Sequence, residues 1–357
     1  MAVAEATTSG GRASFGWRAL GWFVRRREAS VLIIAVGLFV YFWIANSTFV
    51  DRDDIKNMTE YGAPIALIAA GEVMLLICGE IDLSVGMVYA FAPIIMYLTS
   101  NSSGESVPGA TVAGLGLPIW VGVIFGLLAA AGVGLVNGLI TTVLRVPSFI
   151  ATLGMLFFLN GLNLKLLSGE QIVLPFSQTF QNILGGYGAP NGPFPVYLNS
   201  EVFWALFLIL VVQFILSYTR WGLHTVATGG NLIGAAESGV NVRKVKIGNF
   251  MLAATLAGFA GMMDSERINS IQPLQGGTDI MFLAVAGAVI GGTSLMGGSG
   301  TVIGGMLGVA VLVILRTGFN ILGVNAYNFD LITGLAIVGA MILNVQVQRL
   351  KNVGKLQ

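Results

Sequence analysis

The sequence predicts an all-α polytopic membrane protein with about ten transmembrane helices and both termini in the cytoplasm. Of its 357 residues, 55% are hydrophobic and only 10% are charged, and the mean hydropathy is +0.83. A soluble domain carries about 25% charged residues, so this chain could not cover a water-facing surface. The sequence also contains a series of apolar stretches, each close in length to the roughly 20 residues that a helix needs to cross a bilayer.

Ten apolar stretches are candidate spans, and the second and third are separated by very few residues. Glycine is frequent in membrane helices because it lets backbones approach closely, so the 49 glycines do not indicate disorder. We expect a polar N-terminal segment (1–29), a single transmembrane domain (30–347) and a cytoplasmic tail (348–357). The predicted spans are 30–49, 62–79, 83–99, 118–141, 147–167, 202–219, 247–264, 280–296, 301–318 and 325–345.

Lysine and arginine set the predicted orientation, because these residues accumulate on the cytoplasmic side of membrane proteins. With the N-terminus inside, most of the 18 lysines and arginines fall on the inner side. An even number of spans keeps both basic termini there. The N-terminal segment, with aromatic residues around Arg18, is either an interfacial helix or a disordered tail. The outer positions hold only Arg52, Lys56, Lys165, Arg267 and Arg316.

Several sequence signatures of enzymes and cofactor sites are absent. The chain has no phosphate-binding G-x-x-x-x-G-K-[S/T] loop, so it is not expected to bind ATP by that motif. His224 is the only histidine and Cys78 the only cysteine, which disfavours a histidine-rich metal site, a Ser-His-Asp triad and an internal disulfide. We therefore expect a non-enzymatic chain with no metal, no cofactor of its own and no nucleic-acid partner.

Two carboxylates lie between the second and third spans. Ionisable residues within membrane spans cost about 2.5–3.5 kcal/mol each and are usually functional. One interpretation is a non-helical break that lines a polar pathway or holds a helix against its neighbours. The other is a tight cytoplasmic turn with solvated carboxylates. Ser84 is expected to cap the following helix. The residues concerned are Gly79, Glu80, Asp82, Ser84 and Gly86.

Two further motifs are less specific. Pro147 suits the first turn of the fifth span. The stretch 287–308 is rich in small residues at three- and four-residue spacing, which favours close helix contacts. Such contacts would serve helices that slide or helices that are simply packed. Its candidate packing glycines are Gly291, Gly292, Gly297, Gly298 and Gly300.

The segment 219–246 is the main polar interruption on the predicted inner side. Gly229 and Gly230 can end one element, Asn231 can cap a short helix, and Gly239 can end it. Such a short helix is unstable alone, so it would gain from docking into a partner. The alternative is an ordinary solvated loop. Arg243, Lys244 and Lys246 would anchor the next span at the membrane surface.

Four stretches together resemble the permease subunits of ATP-binding-cassette (ABC) importers for monosaccharides, of the ribose, xylose and galactoside type. The resemblance runs in one order from about residue 45 to 345. The stretches are Gly79-Glu-Ile-Asp-Leu-Ser-Val-Gly86, Val146-Pro-Ser-Phe-Ile-Ala-Thr-Leu-Gly154, Gly229 to Lys246, and Val289-Ile-Gly-Gly-Thr-Ser-Leu-Met-Gly-Gly-Ser-Gly-Thr-Val-Ile-Gly304.

This resemblance implies a multi-pass permease of the bacterial plasma (inner) membrane that moves a sugar or related polyol. It implies a second permease chain, as a homodimer or pseudo-dimer, and an extracytoplasmic sugar-binding protein. It also implies a separate or tandem cytoplasmic ATPase, which would bind the ATP and Mg. The residues implied to contact that ATPase are Gly229, Gly230, Asn231, Ala235, Ala236, Ser238, Gly239 and Asn241.

The sequence departs from the family pattern at two places. Glu80 stands where a second glycine is usual, and Asp279-Ile-Met-Phe replaces an acidic Glu-Leu-Asp near the eighth span. The preceding stretch, 263–273, is unusually charged. The substrate therefore stays open among pentoses, hexoses, polyols and other small polar solutes. An ion-coupled secondary transporter, with Glu80 and Asp82 as proton or sodium sites, is the alternative hypothesis.

Overall fold

The computed structural model describes residues 27–101, 114–186 and 198–325, with residues 328, 329, 331–335, 338, 339 and 342. The predicted tenth span is described only in part. Most of the N-terminal segment and the whole C-terminal tail lie outside these residues. The span count of ten and the position of both termini therefore stay predictions.

The described chain is built almost entirely of α-helices. A short 3-10 helix (Ser47–Val50) follows the first of them. In chain order the helices are α1 (Arg27–Ala45), α2 (Arg52–Ile77), α3 (Val85–Ser100), α4 (Ile119–Thr142), α5 (Ser148–Leu167), α6 (Gln178–Leu184), α7 (Ser200–Tyr218), α8 (Arg220–Gly230), α9 (Leu232–Glu237), α10 (Val242–Ile268), α11 (Gly277–Ile290) and α12 (Val302–Ile321).

Within the described residues, seven of these helices are long and apolar enough to cross a membrane, namely α1, α2, α4, α5, α7, α10 and α12. The apolar helices α3 and α11 are shorter. All nine overlap predicted spans, which confirms the all-α polytopic class, although α2 begins at Arg52, ten residues before the predicted start of its span at 62. The eighth span was predicted to reach residue 296, but α11 ends at Ile290. The chain turns there because Gly292 has a φ of +90°, which takes the backbone out of the helix.

The helices α2 and α10 form the centre of the molecule. In their apolar windows 89% and 61% of residues are buried, against about a third in α4, α5 and α7. Exposed apolar side chains on the outer helices, such as Phe157 and Phe207, suit contact with lipid. Small residues bring the central helices together: a Cβ added at Gly71 would lie 2.7 Å from Ala253 Cα. Close backbone approach of this kind is typical of membrane helices.

The loops gather at two ends of the helix bundle. We call the inner end the one that holds residues 78–84, 143–147, 219–241 and 291–301, which the charge rule assigns to the cytoplasm. The outer end holds α6 and two short strands, β1 (Ile172–Val173) and β2 (Ser270–Ile271), which pair antiparallel with Ile172 opposite Ile271.

Candidate functional site

Three asparagine and threonine side chains start the helices of the segment 219–246. Thr219 Oγ1 accepts from the Gly222 N–H at 3.3 Å and begins α8. Asn231 Oδ1 accepts from the Gly234 N–H at 3.0 Å and begins α9. Asn241 Oδ1 accepts from the Lys244 N–H at 3.0 Å and begins α10. Each cap satisfies a backbone donor that a helix start leaves unpaired.

The end of α9 is fixed by backbone hydrogen bonds. The N–H of Val240 donates to the Ala235 carbonyl and that of Gly239 to the Ala236 carbonyl, both at 3.0 Å. This is a Schellman arrangement, and it requires a left-handed residue at the position of Gly239, whose φ is +85°. The structure confirms the predicted ends of α9 at Asn231 and Gly239. Contact with an ATPase stays a prediction.

Most of α9 faces outward from the bundle. Leu232 and Ile233 are 49% and 70% exposed, whereas Ala235 turns inward with 5% exposed. Ala236, Ser238 and their neighbour Glu237 are exposed as well. The helix therefore presents an apolar pair with polar groups beside it, a surface composition that suits a protein contact.

The C-terminus of α8 packs backbone against backbone on the glycine turn after α11. A Cβ at Gly229 would lie 1.7 Å from the Ile77 carbonyl oxygen, and one at Gly298 would lie 2.8 Å from Gly230 Cα. The N–H of Gly298 donates to the Ile77 carbonyl at 2.8 Å. Only glycine permits this approach. The turn that was predicted to pack closely therefore packs against one specific element, the end of α8.

The other predicted packing glycines also lie in this turn. A Cβ at Gly291 would lie 2.1 Å from the Gly304 carbonyl oxygen, and one at Gly297 would lie 2.8 Å from the Gly229 carbonyl oxygen. A Cβ at Gly300 would lie 2.8 Å from Thr293 Cγ2. At Gly292 the positive φ is the constraint, because a Cβ added there would have nothing within 4 Å of it.

The carboxylates of the 79–86 segment are both engaged by neighbouring elements. Glu80 forms an ion pair with Lys246 at the start of α10. Asp82 is fully buried and accepts from the Ser84 N–H at 2.8 Å, the Ser84 hydroxyl at 2.6 Å and Asn137 Nδ2 at 3.1 Å. These bonds hold the turn to α4 and α10. They favour a helix-holding role for Asp82 over a solvated turn.

One detail of this segment differs from the sequence prediction. Ser84 stands at the start of α3, but its side chain makes no capping bond. Its hydroxyl donates to Asp82 at 2.6 Å, and its oxygen accepts from Asn137 Nδ2 at 2.9 Å and not from a backbone N–H of α3. Gly86 is constrained by packing: a Cβ there would lie 1.9 Å from the Gly277 carbonyl oxygen on α11.

The start of α5 also contacts the 79–86 segment. Ser148 Oγ accepts from the Ile81 N–H at 3.4 Å, and Thr152 Oγ1 accepts from the Leu83 N–H at 3.1 Å. Pro147 lies one residue before the first helical residue. All four motifs that carry the resemblance therefore meet at the inner end of one bundle.

Sequence reasoning missed one link in this region. Asn249 is fully buried and donates to the Met74 carbonyl at 3.3 Å and to Thr225 Oγ1 at 3.2 Å. It thereby joins α10, α2 and α8. A lone asparagine in an apolar span was the available signal, since such residues hydrogen-bond across membrane helices. Within the described ranges, no three His, Cys, Asp or Glu residues lie close enough together to hold a metal ion.

Comparison with known proteins places these features in a family. Residues 55–341 match the family described as the branched-chain amino acid transport system permease component. The chain is 37% identical to the xylose/arabinose import permease protein XylH of Sulfolobus acidocaldarius over 326 residues, which cover 91% of this chain and 87% of the relative. No solved structure matches the chain.

Two further relatives extend over similar lengths. The ribose import permease protein RbsC of Escherichia coli K12 is 29% identical over 92% of this chain and 95% of its own length. The autoinducer 2 import system permease protein LsrC of Salmonella typhi is 30% identical over 91% of this chain and 87% of its own length. These relatives fit the importer-permease hypothesis and not the ion-coupled alternative. The chain is a multi-pass membrane protein and belongs to this family of transport-system permease components.

Proposed function

We propose that this chain is the permease subunit of an ABC importer for a monosaccharide or related polyol. It forms the translocation pathway with a second copy of itself in the plasma membrane, which is the inner membrane in a bacterium. A binding protein delivers the sugar at the outer end. A separate ATPase subunit or tandem ATPase binds ATP and Mg at the inner end. The observation that carries the proposal is that α9 is exposed and that the two glycines before it, Gly229 and Gly230, pack closely on the turn after α11.

The sugar class is supported by the relatives. Xylose, arabinose and ribose appear in the names of two of the relatives, and all three are pentoses. Their chains are covered over 87% and 95% of their length, so the likeness extends over the whole permease fold. The departures at Glu80 and Asp279 leave the individual sugar open.

The exposure and rigidity of α9 support the proposal that an ATPase docks on it. A six-residue helix has too few hydrogen bonds to be stable alone, yet both ends of α9 are fixed. Leu232 and Ile233 are thereby held outward without the loss of conformational entropy that a flexible loop would suffer on binding. A partner groove that buries this pair gains apolar contact at a preorganised position.

Movement of α9 would reach the transmembrane helices through contacts already described. Gly229 and Gly230 touch the turn at Gly297 and Gly298 and the end of α2. The ion pair between Lys246 and Glu80 ties the start of α10 to the turn before α3. Close-packed elements shift as units, so a displacement at α9 is expected to move α2, α10 and the glycine turn together.

Substitution of Ile233 by aspartate tests the docking surface. We expect at least a tenfold weaker association with the candidate ATPase, because burying an unpaired charge opposes binding and a central apolar contact contributes about 2 kcal/mol. The measurement is co-purification and the permease-stimulated ATPase rate. The matched control is Val173→Asp, since Val173 is 68% exposed at the outer end and Ile233 is 70% exposed.

Two outcomes would contradict the proposal. If deletion of residues 231–239 leaves both the complex and its transport-coupled ATPase rate unchanged, α9 is not the coupling helix. If the purified chain in proteoliposomes transports a solute along an ion gradient with no ATPase present, the chain is a secondary transporter.

A further inference from the structure

Resting on the importer function proposed above, we propose that the outer end carries a binding site for a single monosaccharide within this chain. The site is a cavity of about 570 Å³ between the outer parts of α2, α10 and α12, the start of α11 and Tyr89 in the second turn of α3. Small-molecule sites have volumes of roughly 300–1,000 Å³, so the cavity can hold one sugar ring with water. Its walls include Tyr61, Tyr89, Asp264, Arg267, Gln275 and Arg316.

The lining has the mixed chemistry that a polyhydroxyl ligand requires. Sugar hydroxyls both donate and accept hydrogen bonds. Gln272 offers an amide donor and a carbonyl acceptor, Gln275 retains a second amide N–H beyond the one donated to Asp264, and the carboxylates of Asp264 and Asp279 accept only. Tyr61 adds a ring with an apolar face and a polar tip. The stretch 263–273 supplies several of these groups.

One acceptor in the cavity wall, Asp264, is held in place before any ligand arrives. Arg267 Nη2 and Nε donate to Asp264 Oδ1 at 2.5 and 3.2 Å. Gln275 Nε2 donates to Asp264 Oδ2 at 2.8 Å. Because both carboxylate oxygens are oriented, a hydroxyl that reaches Asp264 meets a fixed acceptor, which lowers the entropic cost of binding.

The charges of the lining favour an uncharged ligand. Two arginines face two aspartates, so the formal charges of the wall cancel. Both arginines are also engaged by the protein. Arg267 contacts Glu201 Oε1 at 3.0 Å as well as Asp264, and Arg316 lies 4.4 Å from the centre of the Tyr61 ring and bonds its hydroxyl. An amino acid would have to displace one of these contacts to bind its carboxylate.

Direct binding to the full-length chain in lipid nanodiscs, without binding protein or ATPase, tests the site. The probes are radiolabelled D-xylose, L-arabinose, D-ribose, D-galactose, D-glucose and D-sorbitol, with L-leucine as competitor. We expect saturable binding of at least one sugar or polyol. Asp264→Asn and Gln275→Ala should each weaken it at least fivefold, because both remove groups that face the cavity.

The matched control is Glu170→Gln, which removes an exposed carboxylate at the same end that does not line the cavity. It should bind like the wild type. Gln275→Ala guards against a folding defect in Asp264→Asn, and an unchanged thermal midpoint identifies the variants that fold. Absence of saturable binding for every probe overturns the site, as does full affinity in a folded Gln275→Ala chain. Displacement of a bound sugar by leucine overturns the assignment to an uncharged ligand.

The test separates this inference from the importer function. If no probe binds but the complete importer still takes up sugar with ATP hydrolysis, the cavity is not a recognition site and the proposed function stands. If the ATPase fails to associate with α9 and uptake needs no ATP, the importer function fails whatever the cavity binds.

Discussion

The inner end of the molecule is held by backbone contacts between glycines, by helix caps and by the ion pair of Lys246 with Glu80, whereas the outer end is held by several ion pairs around one arginine. At the inner end Gly229 lies against the Ile77 carbonyl, and Asn231 caps α9 through a residue three positions away. At the outer end Arg267 contacts Asp264, Glu201 and Glu60, at 2.5, 3.0 and 3.8 Å. These last two carboxylates come from α7 and α2.

The difference suits two kinds of task. Glycine contacts leave no side chain between backbones. A displacement of one element at the inner end is therefore expected to move its neighbours by nearly the same distance. Ion pairs among partly buried groups leave polar atoms around a cavity. Removal of one partner of such an ion pair destabilises the fold, because the remaining charge is buried and unpaired. The outer end is therefore suited to contact with a polar solute.

Removing the arginine at the centre of the outer network should have the largest effect. Arg267→Ala leaves Glu201, which is fully buried, without its ion-pair partner. We expect a loss of about 3–5 kcal/mol in the free energy of unfolding, measured by denaturant titration in detergent micelles. Arg267→Ala combined with Glu201→Gln should recover part of the loss, since the fully buried side chain at position 201 then carries no charge. Unchanged stability in the single variant would show that the network is not structural.

A methyl group at the glycine contact of the inner end should have a smaller effect on stability and a specific effect on coupling. In Gly229→Ala the added Cβ would lie 1.7 Å from the Ile77 oxygen, so α8 has to move. We expect a loss near the upper end of the about 1–3 kcal/mol typical of overpacking, and a reduced permease-stimulated ATPase rate.

The control for that variant is Gly154→Ala in α5, where nothing lies within 4 Å of the added Cβ. It should be neutral or slightly stabilising, because alanine is favoured over glycine in helices by about 1 kcal/mol. Equal effects of the two variants would show that the contact at Ile77 does not constrain the inner end.

The smallest expected effect is loss of the cap of α9. Asn231→Ala removes the acceptor for the Gly234 N–H and should cost about 1 kcal/mol, confined to the short helix. Hydrogen exchange at the Gly234 amide measures it directly and should speed up about fivefold, while exchange in α10 stays unchanged. Asn231→Asp retains an acceptor and should retain protection. Equal exchange in Asn231→Ala and the wild type would mean that other contacts fix α9.

Contacts between residues that are close along the chain were predictable from the sequence, whereas contacts between distant residues were not. The cap at Asn231 and the stop at Gly239 were predicted because their hydrogen-bond partners lie within a few residues. The ion pair between Glu80 and Lys246 was not predicted, since 166 positions separate the two residues. The charged stretch 263–273 stood out as unusual, but nothing in it indicated Glu60 or Glu201 as partners of Arg267.

The prediction for Ser84 failed for a related reason. Its position before an apolar run is typical of a helix cap, and it does stand at that position. The hydroxyl oxygen accepts from Asn137 of α4 instead of a backbone N–H, and the hydroxyl proton is donated to Asp82. A local pattern gives the position of a polar residue, but competing hydrogen-bond partners decide its bonds, and these depend on which helices are neighbours.

By itself, the sequence determined the membrane class, the extents of nine apolar helices to within a few residues at most ends, and the caps of α9. These follow from hydropathy, spacing and side-chain chemistry within one or two helical turns. The tertiary structure decided that four separate motifs meet at the inner end. It also decided that charged side chains from α10, α11 and α12 line one cavity at the outer end. Both depend on helix packing, in which residues far apart in sequence become neighbours through contacts that no local pattern specifies.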